Sequence, residues 1–263
     1  MRASAYDNRM AMFLAAVCSQ TYKQYNDSSG RYVVPAGYEV ADNFEAKSFG
    51  GKREPFGFIL ESDDRIILAF RGTSSTTDWI SDAIASQDKY KCVKDGGLTH
   101  KGFSDIYYSA RPAILPKLKK LSASGKRLHI TGHSLGGALA TLSAPDMTAH
   151  TRFVHPVVYT FGAPRVGDPV YAAMYAGRVP DSFRVYNVLD AVPLLPPQVY
   201  KPPRQDTTYR YMHVQEPIGL DFNHGSVSSN HVIASYYRDL ASADPAYAVA
   251  LERHNPGFPP PLG

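Results

Sequence analysis

The stretch from Arg127 to Ala144 constrains the fold more than any other part of this sequence. It reads RLHITGHSLGGALATLSA, so that an apolar run, Leu128 to Thr131, leads into GHSLG at 132–136 and then into a helical pattern. A G-x-S-x-G pentapeptide between a strand and a helix is typical of a nucleophile elbow, a sharp turn that presents a serine. The pattern predicts a strand, a tight turn at Ser134 and a helix.

The residue types around Ser134 fit such a turn. Gly132 and Gly136 have no Cβ to collide with the neighbouring strand and helix. Ser134 would sit at the start of the helix, where unpaired backbone N–H groups and the helix dipole favour developing negative charge. Ser134 is therefore the candidate nucleophile. Because the pentapeptide also occurs by chance, the alternative of an ordinary turn serine depends on the rest of the chain.

Composition excludes several classes of protein. The 263 residues are 44% apolar and 20% charged, which suits a single soluble globular domain spanning 1–263. The net charge of +4 comes from scattered lysines and arginines, so nucleic-acid binding has little support. No His, Cys and carboxylate residues cluster at metal-ligand spacing, and we expect neither metal nor cofactor. No apolar run reaches the roughly 20 residues that would span a bilayer.

The N-terminal apolar run from Met10 to Cys18 has two interpretations. It loosely resembles a secretory signal, but Asp7 and the lack of a small-x-small cleavage site count against that reading. Its apolar residues also recur at i, i+3, i+4 and i+7, which favours an amphipathic helix packed on the domain. The two cysteines, Cys18 and Cys92, belong to no C-x-x-C pair. We expect buried free thiols, with a disulfide as the alternative.

An early hairpin supplies a candidate oxyanion hole. A short strand is predicted from Tyr38 to Phe44, and Phe56 to Leu60 with Ile66 to Phe70 reads as a hairpin that enters the central sheet. The second hairpin strand is almost continuously apolar, as expected for a strand covered on both faces. It ends in Arg-Gly-Thr. Thr73 can supply a backbone N–H and a hydroxyl, and Leu135 a second N–H, for an oxyanion.

The segment from Ser74 to Ser86, SSTTDWISDAIAS, follows directly. Trp79, Ile80 and Ile84 lie at helical spacing on one side of a short amphipathic helix. Such a helix just beyond the oxyanion hole is a candidate lid that turns its apolar face to lipid. The alternative is a fixed surface helix.

The remaining segments alternate between helices and strands. We expect three helices: one from Phe103 to Leu121 that kinks or breaks at Pro112 and Pro116, an elbow helix that ends or bends near Pro145, and a crossover helix from Val170 to Ala176. We expect strands at Val157 to Phe161, Phe183 to Leu189 and Tyr209 to Val214. The Pro-rich segment from Leu194 to Pro203 is predicted to be an irregular loop, and the Pro-rich tail from Asn255 to Gly263 is predicted to be flexible.

Candidate partners for Ser134 follow from position. In open α/β sheets, binding and catalytic sites lie at the carboxyl ends of the strands. This position favours Asp190 as the acid, with Asp168 as the alternative. His231 stands in loop-like sequence directly before the apolar-periodic VIASYYRDL, at a loop-to-helix junction. It is preferred as the base over His224 and His213. His100 is expected to be a structural, hydrogen-bonding histidine.

Four motifs in this order resemble the class 3 (fungal-type) lipase family: FRGT at 70–73, GHSLGGALA at 132–140, TFGAPRVGD at 160–168 and RVYNVLDAVPLLPP at 184–197. The resemblance implies an α/β-hydrolase fold with a mostly parallel central sheet flanked by helices and a short helical lid after FRGT. It implies Ser134 as nucleophile, Asp190 as acid, His231 as base, and Thr73 with Leu135 in the oxyanion hole. The match is weakest around His231. Two cysteines do not provide the multi-disulfide framework of secreted fungal members, which favours the bacterial branch.

The resemblance implies a serine carboxylic ester hydrolase, foremost a triacylglycerol lipase of lipid degradation. Alternatives are a phospholipase A1, a soluble esterase of the feruloyl type and, from another functional class, a non-catalytic lipid-binding module. The implied partners are an ester substrate and a transient lipid–water interface. Secretion is inferred from the family habit of meeting external lipid, with a cytoplasmic location as the alternative.

Overall fold

The computed structural model describes residues 5–73, 85–202, 206–214 and 216–262. Its helices, in chain order, are α1 (Asn8–Asn26), α2 (Lys101–Leu121), α3 (Leu135–His150), α4 (Pro169–Arg178), α5 (Ile233–Ser242) and α6 (Pro245–His254). Its strands are β1 (Glu39–Lys47), β2 (Arg53–Glu61), β3 (Arg65–Phe70), β4 (Gln87–Lys89), β5 (Leu98–His100), β6 (Arg127–His133), β7 (Val157–Phe161), β8 (Ser182–Asn187), β9 (Val199–Tyr200), β10 (Tyr209–Arg210) and β11 (Glu216–Leu220).

Seven of these strands form the central sheet, in the order β1-β2-β3-β6-β7-β8-β11. The first three are joined antiparallel, and β3, β6, β7, β8 and β11 run parallel. The predicted hairpin is therefore the β2–β3 pair, in which Gly57 pairs with Phe70. The mostly parallel sheet and its flanking helices confirm the predicted α/β-hydrolase fold.

Apolar side chains alternate between the two faces of the sheet, which explains why helices cover both. Along β3, Ile66, Leu68 and Phe70 belong to a core cluster shared with α2, α3 and α4. Ile67 and Ala69 point to the other face and pack with α1 and α5. Because a strand buried on both faces needs apolar residues at every position, its run RIILAF reads as continuous rather than alternating.

Three prolines lie inside helices that continue past them, so the break expected at Pro112 and Pro116 and the end expected near Pro145 do not occur, while the kink or bend given as the other possibility stays a prediction. Helix α2 runs unbroken through Pro112 and Pro116, and α3 continues through Pro145 to His150. A proline removes one intrahelical hydrogen bond and favours a break. Here the helices bury long apolar faces, Phe103 to Leu118 in α2 and Leu135 to Met147 in α3, so tertiary packing offsets the lost bonds.

The end of the sheet differs from the prediction of a strand from Tyr209 to Val214. In that segment only Tyr209 and Arg210 form a strand, β10, which pairs with β9 in a separate two-stranded ribbon. Strand β9 lies in the segment from Leu194 to Pro203, which was predicted to be an irregular loop. The sheet is completed by β11, parallel to β8. Its sequence EPIGL contains a proline, which is tolerated at a sheet edge where no neighbour needs the missing N–H. Because proline and glycine disfavour strands, the sequence EPIGL did not indicate β11.

The N-terminal helix and the C-terminal tail pack together on the sheet. Helix α1 is the amphipathic helix favoured above, with Asp7 capping its start by accepting from the Arg9 and Met10 N–H groups. Phe258 is fully buried, lies 5.4 Å from the Phe13 ring between centroids, and its carbonyl accepts from Gln20. Phe258 is thus anchored on the sheet, and the flexibility expected of the tail from Asn255 to Gly263 stays a prediction.

Two further expectations concern the cysteines and membrane spans. Cys18 and Cys92 are both buried and free, as expected. Within the part of the chain that the structure describes, no helix combines the length and hydropathy that a membrane span requires.

Candidate active site

Ser134 occupies a strained turn between β6, which ends at His133, and α3, which begins at Leu135. Its backbone has φ 58° and ψ −128°, a conformation that L-residues rarely adopt. The flanking glycines make the turn sterically feasible. A Cβ on Gly132 would lie 2.1 Å from the Gly136 carbonyl oxygen, and a Cβ on Gly136 would lie 2.3 Å from that of Phe70. The strand–turn–helix predicted from the pentapeptide is therefore present.

The structure brings Ser134, His231 and Asp190 together. The Nε2 atom of His231 lies 2.9 Å from Ser134 Oγ, and its Nδ1 atom lies 2.7 Å from Asp190 Oδ2. All three residues are buried. Asp190 follows β8 at the carboxyl edge of the sheet, and His231 lies in the loop just before α5, so residues 97 and 41 positions apart in sequence meet at this edge.

Hydrogen bonds from three directions hold the Asp190 carboxylate. Oδ2 accepts from His231 Nδ1 and from the Tyr236 hydroxyl at 2.6 Å, and Oδ1 accepts from the Val192 N–H at 2.9 Å. Burial and the adjacent carboxylate raise the pKa of Tyr236 well above its usual value, so its hydroxyl keeps the proton that it donates. An ionised carboxylate only accepts hydrogen bonds, so His231 Nδ1 carries a proton and Nε2 is left to accept from Ser134.

Thr73 stands directly after β3 and faces the same site. Its hydroxyl oxygen is buried and has no hydrogen-bond partner within the described residues. It lines a cavity of about 260 Å³ together with His231, Tyr22 and five other residues: Asn26, His133, Ser228, Val232 and Ile233. Leu135 is the first residue of α3, where a backbone N–H has no intrahelical acceptor. Leu135 therefore follows Ser134 directly, and Thr73 lines the same cavity as His231, so their oxyanion roles stay a prediction.

A buried arginine anchors the loop that carries Thr73. The Arg71 guanidinium pairs with Glu54 at 2.6 Å and donates to the Pro55 carbonyl. It also lies 3.8 Å from the centre of the Tyr25 ring and 4.5 Å from that of Phe56. An arginine that is both paired and stacked loses little by burial. These contacts fix the backbone of the loop relative to β2 and α1.

The alternative acid and bases have other roles or stand apart. Asp168 caps α4, accepting from the Tyr171 and Leu98 N–H groups. The Nε2 atom of His213 binds the Pro193 carbonyl, and His224 is exposed. His100 caps α2 by accepting from the Phe103 N–H, which matches the structural role expected of it.

The candidate lid residues Trp79, Ile80 and Ile84 lie outside the described residues. The lid therefore stays a prediction. Within residues 5–73, 85–202, 206–214 and 216–262, no three His, Cys, Asp or Glu side chains are grouped to hold a metal ion.

Sequence reasoning missed three residues that touch this site. Tyr236 binds Asp190, Tyr22 donates to His133 Nδ1 at 2.7 Å, and His133 Nε2 contacts the His231 carbonyl at 2.6 Å. The only available signal was the position of His133 inside the elbow. Nothing in the pattern distinguishes the two tyrosines, because the chain contains 18 of them and these two lie at ordinary positions in helices.

A protein-family model matches the part of the chain that carries most of the candidate site residues. The model of the family "Lipase (class 3)" matches residues 67–200, which include Thr73, Ser134 and Asp190. The chain belongs to the class 3 lipase family. Tyr22 precedes the matched segment, and His231 follows it.

Individual relatives of this chain include plant and fungal proteins. It is 29% identical over 265 residues to phospholipase A1-Igamma2, chloroplastic, of Arabidopsis thaliana, covering 76% of this chain and 50% of that protein. It is 35% identical over 147 residues to a lipase of Rhizomucor miehei, covering 53% of this chain and 40% of that protein. The chain therefore spans half or less of the length of these relatives. Its assignment to the bacterial branch stays a prediction.

A solved structure shares the fold. The Rhizomucor miehei lipase propeptide complex superposes with a TM-score of 0.67 at 22% identity, covering 84% of this chain and 69% of that one. At this identity the likeness concerns the fold alone.

Proposed function

We propose that this class 3 lipase is a serine carboxylic ester hydrolase that cleaves acylglycerols through an acyl-enzyme. The observation that carries the proposal is the continuous hydrogen-bonded series from Ser134 through His231 to Asp190. A serine hydroxyl is a weak nucleophile at neutral pH and needs an adjacent, oriented base. That need accounts for all three residue types and for their order in space.

The first half-reaction forms the acyl-enzyme. His231 Nε2 takes the proton as Ser134 Oγ attacks the ester carbonyl, and Asp190 stabilises the resulting imidazolium through Nδ1–H. The carbonyl oxygen becomes an oxyanion between Thr73 and the Leu135 N–H, the two donors beside Ser134. In a comparable hydrolase, removal of one such donor costs roughly 3 to 4 kcal/mol.

The second half-reaction returns the enzyme to its starting state. When the oxyanion collapses, His231 gives its proton to the leaving alcohol, and the alcohol departs from the acyl-enzyme. His231 then takes a proton from water, the hydroxide attacks the acyl carbonyl, and Ser134 leaves with the proton that His231 returns. The products are a free fatty acid and an alcohol.

Apolar side chains beside the site support a lipid substrate. The loops that carry Asp190 and His231 expose five large apolar residues, each between 44% and 64% accessible: Val188, Leu189, Leu194, Val227 and Val232. Val232 also lines the cavity next to His231. Exposed apolar side chains grouped around a site favour transient contact with an apolar surface. The proposed partner is therefore a lipid–water interface, with the segment from Ser74 to Ser86 as the lid.

A phospholipase A1 activity is the second candidate. It is favoured by the relative of that name, which aligns over 76% of this chain. A soluble esterase of the feruloyl type is a third alternative, which the exposed apolar residues disfavour. A non-catalytic lipid-binding module is disfavoured because the three side chains stand in hydrogen-bonding geometry.

A substrate profile tests the proposal. The purified protein is given p-nitrophenyl esters of increasing chain length, emulsified triacylglycerol and phosphatidylcholine vesicles, with the Ser134→Ala variant as the blank. Preference for long-chain, emulsified triacylglycerol supports the proposal, and preference for phosphatidylcholine replaces it with the phospholipase. Faster hydrolysis of short soluble esters than of any aggregate would reject both lipid assignments. Binding of vesicles without ester turnover or fluorophosphonate labelling would establish the lipid-binding module.

The location of the protein is a separate proposal. We propose an extracellular location because a fungal relative, of Penicillium cyclopium, is named a secreted mono- and diacylglycerol lipase, with the cytoplasm as the alternative. Fractionation of a native producer with an antibody against this chain would decide between them.

A further inference from the structure

Helix α1 contributes a polar contact to the candidate active site. Tyr22 lies in the last two turns of α1, outside the segment that the family model matches. Its hydroxyl lies 2.7 Å from His133 Nδ1, and its ring meets the His133 ring edge-on at 5.7 Å between centroids. His133 directly precedes Ser134 in the elbow. The helix therefore touches the turn that presents the nucleophile.

The proton positions along this contact are determined by its two ends. His133 Nε2 lies 2.6 Å from the backbone carbonyl oxygen of His231, which can only accept, so Nε2 carries the proton. Burial and the neighbouring His231 lower the pKa of His133 well below its usual value, so its ring stays neutral. In a neutral ring the other nitrogen is an acceptor, and the Tyr22 hydroxyl must therefore donate to Nδ1.

The same hydroxyl also meets the loop of the candidate oxyanion hole. The Tyr22 hydroxyl packs directly against the backbone of Gly72. The contact is close, because a Cβ on Gly72 would lie only 2.2 Å from that oxygen. Gly72 immediately precedes Thr73. One continuous series of contacts thus runs from the Gly72 backbone to Tyr22 and then, through two hydrogen bonds, by way of His133 to the carbonyl of His231.

We infer that Tyr22 and His133 are positioning residues that hold the oxyanion loop and the backbone of His231 at a set distance from Ser134. The loop of Thr73 and the backbone of His231 lie about 160 residues apart in sequence, and no strand pairing within the described residues joins them. A misplacement of about 1 Å in such a site can cost a hundredfold in rate. The inference rests on the acyl-enzyme mechanism proposed above.

The test compares Tyr22→Phe with Tyr25→Phe. Tyr22→Phe keeps the ring and removes only the hydroxyl between Gly72 and His133, whereas Tyr25 lies on the same helix with its ring over Arg71. With a soluble p-nitrophenyl ester we expect Tyr22→Phe to lower kcat about tenfold while KM stays within twofold, and Tyr25→Phe to keep the wild-type kcat. The melting temperatures of the two variants should agree within about 2 °C. Labelling by a fluorophosphonate should slow in Tyr22→Phe alone.

A second variant separates positioning from folding. His133→Gln retains a donor toward the His231 carbonyl and loses the acceptor at Nδ1, so it should slow turnover in the same way as Tyr22→Phe. If both act in one series, the double variant loses no more than about twofold beyond the worse single variant. Multiplied losses, a kcat for Tyr22→Phe equal to that of Tyr25→Phe, or a rate loss matched by a large fall in melting temperature would each overturn the inference. A wild-type protein without ester turnover would instead refute the proposed function.

Discussion

The hydroxyl of Tyr236 donates a 2.6 Å hydrogen bond to Oδ2 of Asp190. The same hydroxyl accepts from the Asn187 N–H at 3.0 Å. Through these two hydrogen bonds, Tyr236 ties both the end of β8 and the Asp190 carboxylate to α5. Oδ2 is also the oxygen that faces His231 Nδ1. The direction in which His231 points therefore depends on a residue from a helix that begins after His231.

Replacing Tyr236 by Phe should affect both stability and rate. The Asn187 N–H would be left buried without an acceptor, at a cost of about 1 to 3 kcal/mol in the free energy of unfolding. Asp190 would lose one of its fixed donors, and we expect kcat/KM to fall several-fold. Tyr237→Phe is the control, because the Tyr237 hydroxyl is buried with no hydrogen-bond partner among the described residues. Urea unfolding and ester kinetics that show equal effects for both variants would contradict this role.

Ser134→Ala and Ser134→Gly should both abolish ester turnover, because neither has a hydroxyl to attack. They should differ in stability. Alanine retains the steric cost of φ 58°, ψ −128°, whereas glycine adopts that conformation freely. We expect the glycine variant to melt about 2 to 4 °C above the alanine variant, a net gain of about 1 kcal/mol. Scanning calorimetry measures the difference. Substantial hydrolysis by either variant would place the nucleophile elsewhere.

His231→Ala should reduce kcat by several orders of magnitude, since it removes the base that takes the proton from Ser134. His224→Ala should leave the rate unchanged, because the His224 side chain is exposed and the hydrogen bond that anchors this residue, to Asn230, comes from its backbone N–H. Steady-state hydrolysis of a soluble p-nitrophenyl ester provides the comparison. The reverse result would reassign the base.

Thr73→Val keeps the shape of the side chain and removes a hydroxyl that is buried without a partner in the described structure. If that hydroxyl serves the oxyanion, kcat should fall about tenfold to a hundredfold while KM changes little. The free energy of unfolding should stay the same or rise, because an unsatisfied polar atom leaves the interior. Kinetics and urea unfolding on the same preparation check both parts. A loss of stability together with an unchanged rate would exclude the assignment.

His129 should make the folded state sensitive to acid. Burial lowers its pKa to about 4, with Arg65 and Arg127 acting in the same direction. In the unfolded chain the pKa is about 6.5, so between these values the unfolded state binds the extra proton and stability falls as the pH falls. From pH 6.5 to 4.5, wild type should lose about 2 to 3 kcal/mol more than His129→Gln. Urea unfolding at several pH values measures both curves, and parallel curves would contradict the prediction.

Much of the fold was predictable because its signals are local. The run RIILAF, the glycines around Ser134 and the hairpin before Arg71 each constrain a few consecutive residues through sterics or burial. The errors arose where tertiary packing offset a local preference. Pro145 remains inside α3, and the proline-containing strand β11 joins the sheet at its edge.

The sequence by itself determined the elbow, the residue types able to act at Ser134, Asp190 and His231, and the two-sided burial of the central strands. Each follows from neighbours in the chain, whose geometry is set by covalent structure and local sterics. Only the tertiary structure decided that Tyr22 reaches His133 and that Tyr236 reaches Asp190. Those pairings join segments more than 40 residues apart, and which tyrosine meets which partner depends on how the helices pack across the sheet.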